Sequence, residues 1–184
     1  MSVRPWSSNG CNAHLPPPVV ASNENGLRLA VPFFGSELAA IFEGFRATLN
    51  LSGLYVELAF LDEGKMEALN RESMGCVGPT NILSFPALAL PCPALPHTTE
   101  DNDPAEKQTT EGSRPPLSGL LGSLAFAPET ALRESRIYGQ EHSLYCIRLF
   151  AHGYAHLAGH EHGEVMTGVC EKLEEAAMKV LGLR

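Results

Sequence analysis

"EHSLYCIRLFAHGYAHLAGHEHG", residues 141–163, sets Leu144, Ile147, Phe150 and Leu157 on or near one helical face and ends its helix at Gly159. Four of the chain's seven histidines fall between positions 152 and 162. Residues four apart on a helix lie on the same face one turn apart, so His152 and His156 can aim at a single ion. Gly159 tolerates a left-handed turn, which folds the chain back and brings His162 in to complete a three-nitrogen set. His160 then points to the other side of the turn, toward solvent or into a supporting role behind the ligands. Three neutral imidazoles without a cysteine suit one Zn2+ ion and leave its fourth position to water or substrate, the pattern of a catalytic zinc rather than a structural one. The competing reading is a set of surface histidines on a C-terminal helix, and the third histidine after a glycine at this spacing argues against it. His14, His97 and His142 have no such partner in sequence.

Working outward, the 184 residues, 44% of them hydrophobic, suit a single domain. Residues 1–26 are rich in Pro, Ser, Asn and Gly without apolar period and read as a disordered tail, so folding is expected from residue 27. "LRLAVPFFGSELAAIFEGFRATLN" (27–50) opens as a strand and turns helical after Ser36, a natural N-cap. "LYVELAFLD" (54–62) reads as a strand and 62–75 as a short helix closed by Gly75. Two further apolar strands, 79–88 and 120–129, can be sheet neighbours. Between them, residues 91–116 are polar, acidic and proline-rich and read as a mobile insertion. Helical patterns at 128–139 and 164–182 complete the chain.

Composition narrows the function classes. A net charge of −8 argues against a broad electrostatic grip on nucleic acid, although a local basic groove remains compatible with it. No apolar run approaches the roughly 20 residues that span a bilayer, and the N-terminus lacks a secretory core, so the expected location is the cytosol. Five scattered cysteines without a CxxC pair read as reduced thiols.

Two families share the histidine spacing. The HExxHxxGxxH signature of metzincin proteases matches His152, His156, Gly159 and His162, but its glutamate, the general base, falls on Gly153. A glycine cannot move a proton. The stretch 152–162 instead resembles HGxLHLxGYDH of the YbeY family of single-strand-specific endoribonucleases, with Gly153 in place, Ala155 for Leu, His160 for Tyr and Glu161 for Asp. "LNRESMGCVGPTNILSFP" (69–86) is similar to that family's LNxxxRGxxxPTDVLSFP, and "LGSLAFAPE" (121–129) to its LGDIxIxxE. The likeness covers about residues 27–91 and 117–184 in the same order.

The resemblance implies a single α+β domain over 27–184, with a small mixed β-sheet packed with helices and the metal site on a C-terminal helix and the following turn. The histidine helix is expected to wall a cleft opposite the 79–85 strand. It implies one Zn2+ held by His152, His156 and His162, with His152 and His156 also catalytic. The implied substrate is single-stranded RNA, namely rRNA in ribosome maturation and quality control, with the ribosomal subunit or its proteins as partners and neither DNA nor membrane. Two positions depart from the motifs. Met74 stands where the family has arginine, and Ser123 where it has aspartate. Arg71, three residues before Met74 and so on nearly the same helical face, is the candidate catalytic cation, against its reading as an ordinary solvated arginine. Asn81, Ser84 and backbone N–H groups near 79–85 are candidate hydrogen-bond donors, and packing is the other reading of that strand. Glu161 is either an outer acceptor behind a ligand histidine or an exposed turn carboxylate. Rival functions are a zinc-stabilised ribosome-associated binding factor with weak or no nuclease activity, and a zinc hydrolase of another ester or amide.

Overall fold

The computed structural model describes residues 19–23, 30–88 and 118–183. Its elements are β1 (Val19–Asn23), α1 (Gly35–Thr48), β2 (Leu54–Phe60), α2 (Glu63–Met74), β3 (Ile82–Pro86), β4 (Gly119–Phe126), α3 (Pro128–Ile137), α4 (His142–Leu157) and α5 (Glu164–Leu181). The four strands form one mixed sheet in the order β1-β2-β4-β3, parallel except for the antiparallel pair β3–β4. The α+β domain and the adjacency of the 79–88 and 120–129 strands are as the sequence suggested.

The N-terminal boundary is not. Val19–Asn23 lies within the stretch read as a tail, yet it pairs in parallel with Val56–Phe60. A five-residue edge strand is held by backbone hydrogen bonds and is too short to show a period. The strand expected from residue 27 is absent at 30–34, and its first residues lie outside those described, as do the rest of the tail and the 91–116 insertion. Ser36 is also not the N-cap of α1. Phe34 holds that place, its N–H donating to Glu37 Oε2 at 2.7 Å. At α2 the closing residue is the expected Gly75, at φ +67, and at the other end Asp62 accepts from the Lys65 N–H at 2.8 Å.

Alternation along β2 sends Leu54, Val56, Leu58 and Phe60 to one face and leaves Tyr55, Glu57 and Ala59 on the other. The first face carries the main core with α1, α4 and α5. There Phe150 of α4 sits 4.8 Å, ring centre to ring centre, from Phe126 and 5.7 Å from Phe42, while Tyr154, one turn on, lies 5.4 Å from Phe45. On the second face, Met66 and the half-buried Leu69 of α2 pack with Leu83, Phe85 and Ala125. Among the described residues no helix is long and apolar enough to cross a membrane.

Gly122 marks the tightest approach in the sheet. A Cβ there would lie 2.6 Å from the Phe85 carbonyl oxygen and 2.7 Å from Leu157 Cδ2 of α4. The first obstacle is backbone of the paired strand and cannot swing aside. Gly122→Ala is therefore expected to lower the unfolding free energy by about 3 kcal/mol, at the upper end of ordinary overpacking, as read by urea denaturation. A loss under about 1 kcal/mol would show that β3 and β4 can part locally without penalty.

Candidate metal centre

The face that α4 gives to the core decides where its histidines go. Phe150 and Tyr154 point inward, and His152 and His156 follow each by two residues, about 200° around the helix. The aromatic pair is therefore buried and the histidine pair is turned outward, each histidine half-buried. The helix ends as the glycine required: Gly159 adopts φ +89, and the His160 N–H reaches back to the Ala155 carbonyl at 3.0 Å. His162 lands beside the pair.

Ring centres of His152, His156 and His162 lie 4.7, 5.2 and 4.6 Å apart, and one nitrogen from each falls within 4.8 Å of the other two. Nε2 of His156 faces Nε2 of His162 at 3.3 Å. Two such nitrogens cannot both carry protons toward each other, so the arrangement suits lone pairs converging on a cation. The other nitrogen of His156, Nδ1, lies 3.0 Å from the His160 carbonyl, which fixes the proton there and frees Nε2. Residues and tautomer thus fit a divalent metal held by nitrogen.

Electrostatics agrees. Burial first, then the neighbouring histidines, pushes the His152 pKa below its ordinary value, and burial followed by His162 does the same at His156. Their unfolded counterparts take up protons near pH ~6.5, where the folded forms still resist. The unfolded state then binds more protons, so metal-free protein should lose stability as pH falls from about 7.5 to about 5.5. Denaturant midpoints at the two pH values check this, and a His152→Gln variant with the same slope as wild type would refute the assignment to these rings.

Other expected residues sit elsewhere or serve packing. Arg71 is exposed on α2, and its hydrogen bond and ion pair run to Glu67 at 2.7 Å, not to the histidines. Met74 is 60% exposed at the end of the same helix. Asn81 Nδ2 donates to Glu134 Oε2 at 2.8 Å, and the Tyr145 hydroxyl donates to the same oxygen at 2.8 Å, so Asn81 belongs to a network joining α3, α4 and the start of β3. The Ser84 hydroxyl donates to the Gly153 carbonyl at 3.2 Å. At that point β3 and α4 are in contact, rather than facing each other across a cleft. Ser123 donates to Glu57 Oε2 at 3.1 Å, across from it on β2. Glu161 is exposed, and the His160 carbonyl holds the outer-acceptor place considered for it. His160 itself is not exposed: it is 4% accessible. His142 ties the segment leading into α1 to the helices, its Nε2 2.8 Å from the Ala30 carbonyl. Cys76, Cys146 and Cys170 are free thiols, and Cys11 and Cys92 lie outside the described residues.

Sequence reasoning missed what holds α4 in place. Gly153 is more than a missing base: a Cβ there would lie 2.9 Å from both Ile82 Cδ1 and Leu124 Cδ2, so the helix seats on β3 and β4 at this residue. The signal was present in Gly153 and Gly122, each within a recognised motif, but glycine at a close approach has no periodicity to betray it.

Fold and triad define a class, a small α+β domain that brings together, from a helix and the turn after it, three imidazoles able to hold a metal ion. The chain belongs to the YbeY family: the sequence profile described as "Endoribonuclease YbeY" matches residues 32–182. It is similar to "Endoribonuclease YbeY" of Nitratidesulfovibrio vulgaris, 38% identical over 148 residues that cover 80% of this chain and 87% of the relative. The protein of the same name from Oleidesulfovibrio alaskensis is 37% identical over 86% of this chain and 92% of its own length. The solution structure of TM1509 from Thermotoga maritima shares the fold, with a TM-score of 0.54 at 17% identity, covering 89% of this chain and 91% of the other.

Proposed function

We propose that this chain is a zinc-dependent, single-strand-specific endoribonuclease acting in rRNA maturation, with His152, His156 and His162 as the metal ligands. The observation that carries the reading is the convergence of those imidazoles, with His156 Nε2 left free by the bond from its Nδ1 to the His160 carbonyl. Family membership and the name endoribonuclease borne by the relatives support RNA as the substrate. When bound, a divalent zinc would acidify a water and polarise a phosphoryl oxygen.

The chain's own groups do the rest. Burial holds the His152 and His156 pKa values below the ordinary histidine value, which favours the neutral rings that a metal needs as ligands. Ser84 and Gly153 fix the helix between its two ligands to the sheet. Charge accumulating on a phosphate needs a cation, and Arg71 is the candidate on α2. Its pairing with Glu67 is an exposed i, i+4 contact worth about 0.5 kcal/mol or less, so a phosphate can displace it.

Met74 favours a second reading, a zinc-stabilised ribosome-associated factor with weak or no nuclease activity, because the family's arginine is missing at an exposed helix end. One experiment decides between the readings. Zinc-loaded wild type, Arg71→Gln and Met74→Arg are incubated with single-stranded RNA, with a chelator-treated control. Chelator-sensitive cleavage by wild type, reduced about 10-fold or more in Arg71→Gln, is the expected result, in line with loss of one transition-state charge contact. Cleavage only by Met74→Arg would favour the binding factor. RNA left whole by every variant, with an ester or amide turned over instead, would sink both.

A further inference from the structure

Both ring nitrogens of His160 are buried without a hydrogen-bond partner, and among the described residues no other buried side-chain nitrogen or oxygen is in that condition. Buried polar groups are paired almost without exception, so the ring's presence needs a reason other than its nitrogens. The main chain of the same residue supplies one. Its N–H donates to Ala155 at 3.0 Å and its carbonyl accepts from His156 Nδ1 at 3.0 Å. Around it, Gly159, Glu161, His162 and Gly163 are all exposed, so within the turn 159–163 the His160 ring is the one part embedded in the protein.

A carbonyl at the end of a helix has no ladder of following residues to hold it. The place of this one depends on what anchors the turn. We propose that His160 is a positioning residue for the metal centre: its ring acts by shape, filling a seat that offers its nitrogens no hydrogen bond, so that its carbonyl holds His156 with the proton on Nδ1 and the lone pair on Nε2. The inference rests on the triad being a metal site. It also implies that the ring nitrogens are dispensable, since an unpaired buried polar atom contributes nothing that an apolar one would not.

The test compares full-length wild type with His160→Phe, His160→Leu, His160→Ala and His156→Ala. In metal-free protein, long-range proton–nitrogen NMR correlations report the His156 tautomer, and zinc affinity is measured separately by competition with a chromophoric chelator. Wild type and at least one of the two apolar variants are expected to keep a single Nδ1–H tautomer at His156 and zinc affinities within about threefold of each other, whereas His160→Ala mixes tautomers and binds zinc about 10- to 100-fold more weakly. Loss in both His160→Phe and His160→Leu would overturn the proposal, whether or not the alanine variant folds, because the nitrogens would then matter. An unchanged tautomer and affinity in His160→Ala would overturn it too. Zinc affinity equal in wild type and His156→Ala would instead overturn the reading of the triad, and the tautomer measurement, made without metal, keeps the two failures apart.

Discussion

His156→Ala is expected to abolish zinc uptake and RNA cleavage together while leaving the fold intact. His156 is the shared member of the triad, its ring 4.7 Å from that of His152 and 4.6 Å from that of His162. Removing an outer partner of a ligand costs about 10- to 100-fold in metal affinity, and removing the ligand itself should exceed about 100-fold. Stability should change by less than about 1 kcal/mol, because the ring lies away from the aromatic core and alanine is the best helix former. Chelator competition and single-stranded RNA cleavage read the two losses, and circular dichroism reads the fold. Cleavage at wild-type rate in the variant would remove the triad from the mechanism.

Gly153→Glu, which writes the metzincin base into this chain, should yield no protease and little folded protein. The Cβ alone would meet Ile82 Cδ1 and Leu124 Cδ2 at 2.9 Å and Ser84 Oγ at 3.3 Å. Helix propensity returns at most about 1 kcal/mol when glycine is replaced, while a carboxylate driven into an apolar contact without a partner costs about 3 to 5 kcal/mol. The net loss should approach 4 kcal/mol, and α4 would have to lift from the sheet to relieve it. Gly153→Ala is the control: its clashes are with the ends of flexible side chains, so it should stay within about 1 kcal/mol of wild type. A cooperative urea transition for Gly153→Glu at the wild-type midpoint would show that the helix is not seated there.

His156 and Gly153 differ in how far sequence alone reveals them. His152, His156 and His162 were legible because helix period and a left-handed glycine are local rules, and each concerns residues within a dozen positions. The β3–β4 pairing was legible from two apolar strands. What escaped depends on residues distant in sequence. Asn81 looked like a free donor until Glu134, 53 positions away, was found to accept from it. His160 reads equally as exposed or as a support behind the ligands, because direction around a turn says nothing of what packs against it. Val19–Asn23 was lost because its pairing with β2 is a backbone matter, and five residues between prolines and glycine carry almost no pattern.

The two-residue offset between Phe150 and Tyr154 on one side of α4 and His152 and His156 on the other has a mechanical meaning. Two of the three candidate ligands ride on a helix held by the aromatic packing, so that helix cannot shift without disturbing Phe126, Phe42 or Phe45. The third rides on a short exposed turn after Gly159. The candidate site thus has one side keyed to the core and one side keyed to a turn, and any change in how that turn is seated would be felt first at His162.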